Sequence, residues 1–221
     1  MFRSVMYKEW IKTRLFIFLI LLITIALHSY MYIKVGYSLR MVGGAHIWSV
    51  IIDRNQFLFR IMKYFPLLFS FMIALSQFVP EMVSKRLKLA LHLPLKKFTI
   101  INWTLFIGAF ILVIVYLINI VSLILFMNIH FSCEIIISAL QTVYPWFLAG
   151  LLSYFLSAWI ILEPRWGRRI INTLIATSVV PIFYIESIPG AYVKVFPLLI
   201  SILLASIFIV IDSVKRFKQG K

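Results

Sequence analysis

The chain has 221 residues, 63% of them apolar and 13% charged, and its 22 basic against 7 acidic side chains give a formal net charge of +15. With a mean hydropathy of +1.03, this composition excludes disordered, collagen-like and ordinary soluble globular chains. The excess of positive charge stands in short clusters between apolar runs, which is the pattern of membrane topology and not of a nucleic-acid surface, and the single cysteine, Cys133, forms neither an internal disulfide nor a CxxC signature.

The expected fold is an all-α integral membrane protein forming one transmembrane domain, with six spans, an N-terminal interfacial helix and a cytoplasmic helix after the second span. In residues 1–13, Phe2, Val5, Met6 and Trp10 share one arc of a helical wheel, flanked by Arg3, Lys8, Lys12 and Arg14. That pattern predicts a helix lying on the inner leaflet. Glu9 falls inside the apolar arc, which suits a side chain facing protein. The first span, 15–33, holds His28 as its only ionisable group. It is too long for a signal-peptide core and no A-x-A site follows, so a retained span is expected. The loop 36–56 contains Gly36, Gly43, Gly44, His46 and Trp48 and is too short for a separate domain; Trp48, Phe57 and Phe59 suit an interface.

The second span, 64–83, is closed by Pro80 and Glu81. The third, 98–127, lies in a stretch free of formal charge from 98 to 133, and the fourth covers 135–162. The fifth and sixth, 170–185 and 195–211, would be about 24–26 Å long at about 1.5 Å per residue, slightly short of a core of about 30 Å. Within the spans, Asn102, Asn119, Ser122, Gln141, Ser153, Ser157 and Thr173 can hydrogen-bond between helices.

Lys and Arg set the orientation. The N-terminal segment, the 85–97 loop, residues 165–169 and the C-terminal tail hold sixteen of the 22 basic residues. That side is expected to be cytoplasmic, with both termini inside and the bacterial inner membrane as the setting. The first external loop carries five of the other six.

No HExxH, G-x-S-x-G or P-loop occurs, and the seven acidic residues are scattered singly. Hydrolytic or ATP-consuming chemistry is therefore not expected on this chain, nor a bound metal or cofactor; the energy would come from a partner or an ion gradient.

Three segments carry more information. The first is Lys8-Glu9-Trp10 within the interfacial helix. The second runs from Glu81 to Lys97, with Lys85, Arg86, Lys88, His92, Lys96 and Lys97 interleaved among Leu87, Leu89, Leu91, Leu93 and Leu95, and with Pro94 near its end. The alternation is that of a strand, but a lone strand between membrane helices has no ladder partner, so a short helix ending near Pro94 is expected. Leucines on several faces outside the bilayer need a protein to cover them. The third, 181–197, contains Glu186, Pro189, Gly190 and Lys194, residues that interrupt helix and free backbone groups.

A basic interfacial helix with Lys-Glu, six spans, and a loop that opens at a Glu, runs through leucines and ends in Leu-Pro resemble the permease subunits of exporter-type (type-two) ABC transporters. The topology resemblance covers the whole chain and the motif resemblance about 30 residues. Met82, Val83, Ser84, Lys85 and Arg86 depart from the family, which has more charge and a Gly-Thr pair there. The resemblance implies a dimer, homodimeric or with a related chain, and a separate cytoplasmic subunit carrying ATP and Mg. It implies that the 81–97 loop couples to that subunit, and that 181–197 forms short re-entrant helices in which Glu186, Pro189 and Gly190 close the outer pathway. The rival readings are a structural or assembly membrane protein and a six-span ion-coupled transporter; the second needs ionisable groups near the midplane of the spans.

Overall fold

The computed structural model describes residues 2–43, 60–83, 97–185 and 190–219. The described elements are helices: α1 (Phe2–Val42), a 3-10 turn (Arg60–Tyr64), α2 (Phe65–Val83), α3 (Lys97–His130), α4 (Cys133–Leu162), α5 (Trp166–Val179), a second 3-10 turn (Val180–Tyr184) and α6 (Phe196–Gln219). The fold is all-α and membrane-like. Within α1, α2, α3 and α4, the segments Arg3–Ser38, Met62–Val83, Ile101–Ile129 and Cys133–Leu162 are long and apolar enough to cross a bilayer. The apolar part of α6, Phe196–Ile211, is shorter, and α5 has 14 residues.

Two boundaries differ from expectation. Residues 1–13 do not form a separate helix: from Phe2 onward they are the first turns of the 41-residue α1, which also runs through Gly36. No proline stands in that stretch, and one mid-helix glycine costs only about 1 kcal/mol. The helix stops at Gly43, whose φ of 79° is the left-handed conformation of a helix end. The fifth expected span is split, with α5 giving way to 3-10 geometry around Pro181, whose ring cannot supply the N–H that an α-helix needs.

Helix α4 is the centre of the bundle. Its most apolar window is 83% buried, against 22% for α1 and 33% for α3, which therefore present apolar faces outward. Two glycines let the helices close on buried tyrosines. A Cβ on Gly108 of α3 would strike the Tyr154 hydroxyl of α4 and Gln77 of α2, and one on Gly150 of α4 would strike the Tyr116 hydroxyl of α3 and lie 2.9 Å from the Pro66 carbonyl oxygen of α2. Tyr154 donates to Gln77 Oε1 at 2.7 Å, and Tyr116 donates to the Pro66 carbonyl at 2.9 Å beside Ser70 Oγ at 2.5 Å. These layers set α2 and α4 parallel, with Pro66 beside Gly150 and Gln77 beside Tyr154. One end of the bundle thus gathers the start of α1, the end of α2 and, through the Ser213–Glu163 bond, the ends of α4 and α6.

Candidate functional site

The buried stripe of α1 is Glu9, Thr13, Ile20, Thr24, Leu27, Met31 and Val35, spaced at the helical repeat. Its first two members are polar, and Thr13 Oγ1 donates to the Glu9 carbonyl at 2.9 Å. Opposite them, the last turn of α2 presents Glu81, four residues after the buried Gln77 and so on the same face. The two stripes meet in an ionic cluster. Lys8 Nζ lies 2.7 Å from Glu81 Oε1, and Lys12 Nζ lies 2.9 Å from Glu9 Oε1 while also pairing with Glu81 Oε1.

Burial separates the members. The side chains of Glu9, Glu81 and Lys12 are 0%, 5% and 11% exposed, and that of Lys8 is 43% exposed. Two ammonium groups face two carboxylates, so the cluster is neutral as a whole, the condition for holding charge in a low-dielectric interior. Lys12 is the shared donor that ties both carboxylates together. Glu9 Oε2 is buried with no hydrogen-bond partner among the described residues, as is Gln77 Nε2, so the polar seam is not saturated.

The structure thus brings Lys8, Glu9 and Glu81 together, residues that the sequence offered in two separate segments. Trp10 is not part of the cluster; it is 53% exposed on the outer side of α1, like Met6. Lys85, Arg86, Leu87, Leu89, Leu91, His92 and Pro94 lie outside the described residues, and so do Glu186 and Pro189. The expected short helix ending near Pro94 and the expected re-entrant gate fall largely on those segments. Gly190 is described: its φ is 73°, and a Cβ there would lie 3.2 Å from Gln141 Oε1 of α4.

Sequence reasoning missed the roles of Lys12, Gln77 and Tyr154. The signal for Lys12 was its i,i+3 spacing from Glu9, and that for Gln77 its i,i+4 spacing from Glu81; Tyr154 offered none. No protein-family model, curated protein or solved structure matches the chain.

Proposed function

We propose that the chain is the membrane-embedded subunit of an ATP-driven transporter, working as a dimer and drawing its energy from a separate cytoplasmic protein that binds ATP and Mg. The observation that carries this reading is the ionic cluster at the root of the 84–96 segment. Glu81, two residues before the end of α2, is held by Lys8 and Lys12 of α1. A displacement of the segment that follows would act on α1 and α2 together, because separating them exposes an unpaired buried charge. The basic, leucine-rich composition of that segment supplies apolar side chains that a partner protein would cover. In this reading the end of the bundle holding the cluster is the cytoplasmic one, Glu186, Pro189 and Gly190 belong to the opposite mouth, and all six apolar segments are embedded.

The test is purification of the intact protein in mild detergent from its native membrane, followed by transport assays in reconstituted vesicles. The expected result is a co-purifying nucleotide-binding protein and transport that requires ATP. Leu89→Asp and Leu91→Asp would each place a carboxylate in the contact and cause loss of that partner or uncoupling of hydrolysis from transport. Transport driven by an ion gradient without ATP would replace this reading by the secondary-transporter one. A protein with neither partner nor transport would replace it by the assembly one.

A further inference from the structure

Nine buried side-chain nitrogen or oxygen atoms lack a hydrogen-bond partner among the described residues, and five of them belong to residues 159–172, where α4 ends and α5 begins. Three are donors on one face of α5: Arg168 Nη1, Arg169 Nε and Asn172 Nδ2. Asn172 is only 6% exposed. It stands one turn beyond Arg168, and side chains on a helix lean toward its N-terminus, so the Asn172 amide is directed at the first turn of α5. That first turn has no side-chain cap from Arg165, leaving its backbone N–H groups as further donors.

The carboxylate in the corner, Glu163, is bonded through one oxygen only, its Oε1 having no hydrogen-bond partner among the described residues. Glu163 is 1% exposed, and one of its carboxylate oxygens accepts from Ser213 of α6 at 3.2 Å. Neither Arg168 nor Arg169 forms an ion pair with it among the described residues. Arg169 uses Nη2 on the Glu163 carbonyl at 2.9 Å and lies over the Trp166 ring at 5.0 Å. Its guanidinium is therefore fixed in place with the Nε edge still free. A converging set of buried donors at a helix N-terminus, with positive charge in excess, is complementary to a phosphate or similar anion.

The surroundings point to where such an anion would come from. Trp166 is 74% exposed at the mouth of the corner, and Ile170, Ile171 and Leu174 continue outward along α5 with more than half their surface exposed. An amphipathic indole beside arginines, followed by exposed aliphatic side chains, is the arrangement of a helix seated at the bilayer surface with its apolar flank against acyl chains. We propose that the α4–α5 corner binds the phosphate of an anionic phospholipid, with Arg168, Arg169, Asn172 and the first backbone amides of α5 as donors and Trp166, Ile170 and Leu174 against the lipid chain. The site is independent of how the protein is energised.

The experiment uses the intact protein, exchanged from membranes of mixed phosphatidylglycerol and phosphatidylcholine into detergent, with bound lipid measured by native mass spectrometry. Arg168→Gln and Asn172→Leu remove donors that bond to nothing among the described residues, so folding should survive in both. The exposed Arg14→Gln removes one unit of charge from the same end of the bundle and serves as the control. The wild type should retain phosphatidylglycerol over phosphatidylcholine, and Arg168→Gln should lower that retention about tenfold or more, the loss expected for a charge-assisted hydrogen bond. Asn172→Leu should lower it by a smaller factor, and Arg14→Gln should leave it close to wild type. Equal retention of the two lipids, or equal losses in Arg168→Gln and Arg14→Gln, would overturn the proposal. Displacement of the lipid by excess inorganic phosphate, with the same dependence on Arg168, would make the ligand a soluble phosphate and overturn the lipid assignment.

Discussion

Lys12 and Glu81 stand 69 residues apart in the chain and form an ion pair that joins the beginning of α1 to the end of α2. Lys12 also holds Glu9, so one ammonium is shared by two buried carboxylates, and Lys8 on Glu81 completes the charge balance. Lys12→Met should therefore be the most damaging single change in the cluster, by about 3–5 kcal/mol, because it leaves Glu9 buried without a counter-charge. Lys8→Met, at the exposed edge of the cluster, should cost much less. Thermal unfolding of the detergent-solubilised protein distinguishes the two. A Lys12→Met protein that melts with the wild type would remove the cluster from the account of stability.

The glycines separate in the same measurement. Gly150→Ala would drive a methyl group against the Pro66 carbonyl, backbone that cannot yield, and should destabilise by about 1–3 kcal/mol. Gly36 lies in α1 with open space around it, so Gly36→Ala should stabilise the helix by up to about 1 kcal/mol. Opposite signs at two helical glycines are the expected outcome; equal effects would contradict the close approach at Gly150.

Tyr154→Phe removes the hydroxyl that donates to Gln77 Oε1 while keeping the ring packed against Phe78 and Phe155. Gln77 would then have neither its oxygen nor its Nε2 satisfied, at a cost of about 1–3 kcal/mol. The double variant Tyr154→Phe with Gln77→Leu should recover part of that loss, since both partners become apolar. A double variant no better than the single one would show that Gln77 is needed for some other contact.

The all-α character and the segments rich enough to span a bilayer were legible from uncharged runs alone, because lipid requires backbone groups to be satisfied within the helix. The face of α1 was harder. In a soluble helix the apolar arc is buried, but in lipid the arc holding Met6 and Trp10 faces outward while Glu9 and Thr13 turn inward. Glu9 was recognisable as a residue facing protein because it interrupted that arc. The tie from Lys12 across to Glu81 was not recognisable, since it depends on how α1 and α2 cross, which no local spacing records. The end of α1 was misplaced for a related reason: Gly36 resembles a terminator, yet the conformation that requires glycine occurs at Gly43.

Orientation in the membrane is the remaining test that bears on function. The cluster of Lys8, Lys12, Glu9 and Glu81 and the arginines at the start of α5 lie at ends of helices that the Tyr154–Gln77 and Ser213–Glu163 bonds bring to one side of the bundle. Positive side chains are retained on the cytoplasmic face, so that side should be the inner one. Single cysteines introduced by Ala90→Cys, Gly167→Cys or Gln219→Cys into a Cys133→Ser background should be protected from an impermeant thiol reagent in intact cells and label after permeabilisation. Ala45→Cys and Ser132→Cys should label without permeabilisation. Position 90 matters most, because it lies in the segment proposed to receive the ATP-binding partner. Labelling there from outside would place Glu81 and its lysines at the external face, out of reach of cytoplasmic ATP, and the transporter reading would fall with the orientation.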